Sequence, residues 1–96
     1  MNDIQLSQTI LEQMGGRLRH MVGAYNFVAI ERGVQFSFKM CRKTNKCVVK
    51  LNWMDTYDVE FWLLRGDLCK RVSRHENVYC DQLIDVFEEE TGLVLL

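Results

Sequence analysis

Hydrophobic and polar residues alternate along the stretch from 47 to 65, which reads CVVKLNWMDTYDVEFWLLR. A period of two residues carried by β-branched and aromatic side chains is typical of strands. The alternation breaks at Met54-Asp55-Thr56, where Asp55 favours a reversal because its side chain can bond the backbone two residues on. We therefore predict a central antiparallel hairpin. One face is expected to be buried and to hold Val49, Leu51 and Trp53 in its first strand, and the other to carry Asp58, Glu60 and Trp62.

Helical spacing of apolar residues appears near both ends of the chain. Ile4, Ile10, Leu11 and Met14 predict a first helix from an N-cap at Asp3 to about Met14, ended by Gly15-Gly16. The stretch 77–91 predicts a second helix, ended by Gly92, whose buried side chains are Leu83, Ile84 and Phe87.

Between the helices, further extended segments surround the central hairpin. We predict strands at 18–25 and 26–30, a turn at 31–33, a strand at 34–40, and a short polar edge strand at 68–73 after a turn at Gly66-Asp67. The apolar tail, 93–96, needs either burial or a partner. The order predicts an α+β fold, an antiparallel meander sheet of four to six strands flanked by an N-terminal and a C-terminal helix.

The chain has 96 residues, which is the size of a single domain (1–96), and 48% of them are hydrophobic. No apolar run approaches the roughly 20 residues of a membrane span. The first ten residues lack the basic and apolar regions of a signal peptide. We therefore expect a cytoplasmic protein without membrane association.

The formal net charge is −1, but the charges are unevenly distributed. The segment 39–50 has five basic residues and no acidic one, whereas 76–96 has six acidic residues and no basic one. Such a dipolar chain can steer a charged partner. The alternative is that the two segments are an ordinary solvated hairpin tip and an ordinary solvated helix face.

The spacing of the four cysteines indicates neither a metal site nor a cofactor. Cys41, Cys47, Cys69 and Cys80 contain no closely spaced pair of the kind that zinc sites use, and His20 and His75 do not complete one. In a cytoplasmic chain we expect reduced thiols, mostly buried as small hydrophobes.

No arrangement of residues selects a catalytic centre. The cysteines and histidines show no spacing that pairs a nucleophile with a base, and no glycine-rich phosphate loop is present. Asp58 and Glu60 share a strand face, where we expect them to be solvent-exposed partners of Lys50 across the hairpin. We therefore predict that the protein is not an enzyme.

Two kinds of macromolecular partner remain. Trp62 beside Asp58 and Glu60 is typical of an anchor at a protein interface, unless a helix covers that face and makes Trp62 part of the core. Arg42, Lys43 and Lys46 belong to the basic segment and add charged partner-binding candidates. The same basic hairpin 39–50, near Trp53, Phe36 and Phe38, gives the alternative of a weak nucleic-acid-binding or regulatory protein.

Five blocks of the sequence resemble a family of small phage and prophage accessory proteins of mostly unassigned function. The blocks are Gly15-Gly16, Gly23-Ala24-Tyr25-Asn26-Phe27, Phe36-Ser37-Phe38-Lys39, the stretch MDTYDVEF at 54–61, and DQLIDVFEEETGL at 81–93. The block at 54–61 is the most specific, and together they span about four fifths of the chain. The sequence departs from the family at 17–20, which reads Arg-Leu-Arg-His in place of Asn-Lys-Phe, and at Tyr25, where lysine is common.

The resemblance implies a phage-borne accessory protein and supplies no catalytic residues. Proteins of this kind often bind host machinery, including as inhibitors of defence systems such as CRISPR complexes. The implied partner is therefore a host protein or protein complex in the host cytoplasm. Apart from the resemblance, a homodimer is a further arrangement that we consider.

Overall fold

The computed structural model describes residues 2–15, 23–39 and 41–92. These residues form two helices and five strands, with a 3-10 turn before the second helix. In chain order the elements are α1 (Asp3–Met14), β1 (Tyr25–Ile30), β2 (Gly33–Ser37), β3 (Lys46–Leu51), β4 (Tyr57–Arg65), β5 (Leu68–Val78), the 3-10 turn Cys80–Gln82 and α2 (Leu83–Thr91). Most of the predicted strand at 18–25 lies outside the described residues. The described residues also leave out His20, Met40 and the tail 93–96.

The five strands form one antiparallel sheet in the order β1-β2-β3-β4-β5. Each strand pairs with the next strand along the chain, as in a meander. With a helix at each end of the chain, the fold is α+β, and the prediction of a helix-flanked meander sheet is confirmed.

The N-cap of the first helix lies one residue earlier than predicted. Asn2, not Asp3, is the N-cap, because its side chain accepts from the backbone N–H of Gln5 at 2.8 Å. The Gln5 side chain in turn accepts from the backbone N–H of Asn2 at 3.3 Å, which completes a capping box. The buried positions of α1 are also shifted, since Ile4 is 62% exposed; the buried residues are Leu6, Ser7, Ile10 and Met14.

The end of the chain differs more from the prediction. β5 runs to Val78 and is the longest of the described strands, although only 68–73 was predicted as a strand. Its polar residues lie at the sheet edge, where one side of the strand faces solvent. Backbone pairing of Tyr57 with Val78 holds the last part of β5 against β4, so the second helix starts at Leu83 and not near Asn77. Gly92 ends this helix in a left-handed conformation, as predicted.

The core lies between the helices and one face of the sheet. Four phenylalanines with 0–1% exposure form its centre, and Phe87 of α2 lies 5.1–6.2 Å from the rings of the other three. The three sheet-side rings belong to Phe36, Phe38 and Phe61. On α1, Gln13 accepts a hydrogen bond from the Tyr57 hydroxyl at 2.9 Å. Both helices therefore cover the same face of the sheet.

The prediction that Trp53 belongs to this core is wrong. β3 ends at Leu51, and Trp53 lies in the turn that follows, with 88% of its side chain exposed. Alternation placed Trp53 with Val49, but alternation applies only while the backbone remains extended. Here the Asn52 backbone already pairs with Thr56 across the turn, which closes the hairpin before Trp53.

Candidate functional site: the open sheet face

The face opposite the core carries no helix within the described part of the chain. Strand register places on it one mixed set of apolar and charged side chains, called here the open face. Its members are Val28, Ile30, Gln35, Lys46, Val48, Lys50, Asp58, Glu60, Trp62, Leu64, Cys69, Arg71 and Arg74. The prediction that Trp62 shares a face with Asp58 and Glu60, away from the core, agrees with this register.

Trp62 lies on the open face in β4, the fourth of the five strands. It pairs with Lys46 of β3 and with Arg71 of β5 in the backbone register, and its side chain is partly buried. The indole N–H donates to a carboxylate oxygen of Glu60 at 3.0 Å. This bond satisfies the polar atom of the indole and limits its rotation, so a large apolar surface is presented in a defined position.

The carboxylates of the open face form ion pairs with β5. Glu60 lies 3.7 Å from Arg71 and 3.8 Å from Arg74, and Asp58 lies 3.4 Å from Arg74. The sequence predicts Lys50 as their partner. The register does place Lys50 opposite Asp58, but the ion pairs run to the arginines. Because the arginines are 40–49% exposed, the pairs are worth about 0–1 kcal/mol each, and they mainly fix the arrangement of charges.

Two lysines of the same face form no ion pair with any described residue. Lys46 and Lys50 border a shallow groove of about 360 Å³, whose apolar lining includes Ile30, Val48 and Leu64. A second depression of about 300 Å³ adjoins it toward β1. The groove therefore offers an apolar floor beside two lysines without ion pairs to described residues, while the Glu60 carboxylate that also lines it is paired with the arginines of β5.

The other basic candidates lie next to this face and not on it. Arg42 and Lys43 are exposed in the loop between β2 and β3. The hydroxyl of the fully buried Thr44 donates to the Trp62 carbonyl oxygen at 2.7 Å, and the Asn45 backbone N–H donates to the same oxygen at 2.9 Å. The Asn45 side chain also bonds Leu64 in both directions, at 2.8 and 2.9 Å. Of the six predicted binding residues, the structure thus groups Trp62, Asp58, Glu60 and Lys46 on one face and holds Arg42 and Lys43 in a loop fastened to β4.

The sequence predicts the turn of the β3–β4 hairpin but not the exposed apolar side chains at its tip. Trp53 is 88% and Met54 is 56% exposed, and Asp55 beside them adopts a φ of 62°. The Asn52 side chain accepts from the backbone N–H of Met54 at 2.9 Å and from that of Thr56 at 3.2 Å. The signal in the sequence was Asn52 itself, a residue that ends strands by bonding nearby backbone.

One cluster of groups capable of chemistry lies elsewhere in the described residues, and its order is not that of a catalytic triad. Ser73 and His75 of β5 both contact Glu90 of α2, so the carboxylate lies between the hydroxyl and the imidazole. In a catalytic triad the imidazole must lie between the other two groups. Within 2–15, 23–39 and 41–92 no group of three or more metal-ligating side chains comes together.

The cysteines are free in the structure, but the expectation that most are buried is wrong. Cys47 is fully buried, Cys41 is partly buried, and Cys69 and Cys80 are exposed. Burial raises the pKa of the Cys47 thiol well above its ordinary value, which keeps it neutral and unreactive.

Among the described helices, none has the length and apolar character to cross a bilayer.

Comparison with known proteins adds no assignment to this geometry. No protein-family model matches the chain, and neither curated proteins nor solved structures give a match.

Proposed function

We propose that the protein is a non-catalytic binding module that attaches to another protein through its open sheet face. The observation that carries this proposal is the position of Trp62, a large aromatic residue on the face that α1 and α2, the described helices, leave uncovered. Tryptophan is enriched among the residues that dominate binding energy, particularly at the centre of an interface. The family resemblance in the sequence suggests a phage accessory protein whose partner is a host protein, such as a component of a CRISPR defence complex.

The arrangement around Trp62 supports a protein partner. An interface core is apolar and its rim is charged. Here Val48 and Leu64 lie beside the indole, while the paired groups of Asp58, Glu60, Arg71 and Arg74 form a polar border. Because Glu60 already fixes the indole, Trp62 loses little conformational freedom on binding, which favours affinity.

A pull-down from bacterial lysate tests this proposal, provided that the captured protein is purified and titrated. The altered chains are Trp62→Ala and Lys46→Glu, and the control is Tyr79→Ala, which removes an exposed aromatic residue next to α2 and away from the open face. We expect Trp62→Ala to weaken binding by about 2 kcal/mol or more, the usual loss at an interface anchor. Equal affinity of Trp62→Ala and Tyr79→Ala would contradict the proposal.

The inhibitor role is tested in cells. Expression of the chain in a bacterium with an active CRISPR system is expected to raise the plating efficiency of a targeted phage. The Trp62→Ala chain is expected to lose this effect while it accumulates to the same level. Unchanged plating with the unaltered chain would reject inhibition of that system.

Nucleic acid is the second candidate, favoured by Lys46 and Lys50, which lie without ion pairs among the described residues near Trp62. Electrostatic binding of this kind falls steeply with salt. Lys43→Glu with Lys46→Glu is then expected to abolish binding of labelled DNA or RNA at low salt. If nuclease treatment of the lysate leaves the captured protein bound, the protein partner is favoured instead.

A further inference from the structure

The hairpin tip and the groove of the open face have complementary chemistry. The tip, Trp53-Met54-Asp55, places two exposed apolar side chains beside a carboxylate that makes no ion pair with any described residue. The groove has an apolar floor and two lysines, Lys46 and Lys50, that also make none. Glu60 lines the groove as well, but its carboxylate is already paired with Arg71 and Arg74. Each surface therefore has the apolar group and the charge that would satisfy the other.

The tip is held in one conformation by side chains from three parts of the chain. The Asn52 amide nitrogen lies within hydrogen-bond distance of oxygens of Thr56 (2.9 Å), Asp58 (3.1 Å) and Asn77 (3.2 Å). The Thr56 hydroxyl also bonds Asn77 at 3.2 Å, which ties the turn to β5. A turn fixed in this way presents Trp53 with little loss of conformational entropy on binding.

The spacing of the two surfaces along β3 permits each of two copies to place its hairpin tip in the groove of the other. Val48 lies in the groove, and β3 runs three residues further, roughly 10 Å, to Leu51 before the turn that carries Trp53. If two open faces stack with their β3 strands antiparallel, a twofold axis midway between these points places each tip over the other groove. Twofold pairs in which the same patch meets itself are the commonest assembly of identical chains.

We propose that two copies of the chain pair through their open faces and that the hairpin tip of each copy seats in the groove of the other. Trp53 contacts the apolar floor, and Asp55 lies beside Lys46 and Lys50 of the second copy. The dimer covers the surface that binds the protein partner proposed above, so self-association and partner binding compete. The pairing itself does not rest on that proposed function, because it concerns the purified chain alone.

Sedimentation velocity on the purified chain, from about 1 to about 500 µM, tests the proposal over a range of Kd typical of weak dimers. We expect a monomer that becomes a dimer as the concentration rises. Trp53→Ala, Asp55→Lys, and Lys46→Glu with Lys50→Glu are each expected to weaken association by roughly tenfold or more, since each removes the anchor or opposes like charges. Asp67→Lys, the same charge change in the exposed β4–β5 turn, is the matched control and is expected to leave the dimer unchanged.

Mixing the charge variants gives the decisive result. Combining the Asp55→Lys chain with the Lys46→Glu, Lys50→Glu chain restores opposite charges at one contact and leaves the native charges at the other. We therefore expect a heterodimer in the mixture although neither chain dimerises alone at the same concentration. A monomer throughout the range, equal effects of Asp55→Lys and Asp67→Lys, or no heterodimer in the mixture would each overturn the proposal.

Discussion

The indole N–H of Trp62 donates to Glu60 at 3.0 Å, although the two residues are neighbours on one strand face and not partners on adjacent strands. Glu60 also forms ion pairs with Arg71 and Arg74 of β5. The carboxylate thus connects the aromatic residue of β4 to the charged edge strand. This connection explains how a large apolar side chain remains in a defined position on a face that no described helix covers.

The two tryptophans are expected to contribute differently to stability. Trp53 is 88% exposed, so Trp53→Ala is expected to change the free energy of unfolding by no more than about 0.5 kcal/mol, as for other surface substitutions. Trp62 is partly buried and hydrogen-bonded, and Trp62→Ala is expected to cost about 1–2 kcal/mol. Urea unfolding followed by far-UV circular dichroism measures both. A larger loss for Trp53→Ala than for Trp62→Ala would show that the turn packs differently in solution.

Glycine is required at Gly33 because of space and at Gly66 because of backbone conformation. A Cβ at Gly33 would overlap the Val49 carbonyl oxygen and lie 2.9 Å from the Cα of Lys50. Both are backbone atoms, so no change of side-chain rotamer relieves the overlap. At Gly66 nothing lies within 4 Å, but φ is +54°. We expect Gly33→Ala to cost about 3 kcal/mol or more, as an overpacked site, and Gly66→Ala roughly 1–2 kcal/mol from the left-handed backbone. Thermal melts of the two variants compare them directly, and equal losses would argue against close contact between β2 and β3 at this point.

The alternation of side chains was sufficient to predict β2 and β4, each of which pairs with a neighbouring strand on both of its sides. Val34 and Phe36 of β2 and Val59 and Phe61 of β4 all lie on the buried face, as their spacing indicated. Alternation says which residues share a face, but not whether a helix covers that face. The two faces differ because both helices lie on the same side of the sheet.

Prediction failed where pairing between distant segments overrode the local pattern. The stretch 74–78 has no apolar alternation, yet it is a strand because β4 provides backbone partners as far as Tyr57. Trp53 was assigned to the core because its position continued the period of β3, whereas Asn52 ends that strand through its side chain. In both cases the deciding contacts involve polar or backbone groups that a hydrophobic pattern does not register.

The cysteines are expected to separate into two classes by reactivity. Cys69 and Cys80 are exposed, whereas Cys47 is 0% exposed and burial raises the pKa of its thiol. Because the thiolate is the reactive form, iodoacetamide at pH 8 is expected to label Cys69 and Cys80 while Cys47 remains unmodified. Mass spectrometry of tryptic peptides measures the extent at each site. Labelling in urea serves as the control, since all four thiols then become accessible, and rapid labelling of Cys47 in the native protein would contradict the packing of β3 against the helices.

The network around Asn52 is expected to stabilise the hairpin as well as to fix its tip. Asn52→Ala removes the side-chain oxygen that accepts from the backbone N–H groups of Met54 and Thr56. It also removes the side-chain amide that donates to the hydroxyl of Thr56, a residue that is only 7% exposed. Loss of partners to buried polar groups costs about 1–3 kcal/mol, and we expect a loss of unfolding free energy in this range. Gln8→Ala, at an exposed position of α1, is the control and is expected to change stability by less than about 0.5 kcal/mol.

Amide hydrogen exchange locates the effect of Asn52→Ala within the molecule. The backbone N–H groups of Met54 and Thr56 are expected to exchange faster, because their acceptor at 2.9 and 3.2 Å is gone. Amides in the middle of β3, such as that of Val49, are expected to change only in proportion to the global loss of stability. If Asn52→Ala leaves hydrogen exchange at Met54 and Thr56 unchanged, the turn is held by its backbone alone. The preorganised tip, on which the proposed pairing of two copies depends, would then have to be abandoned.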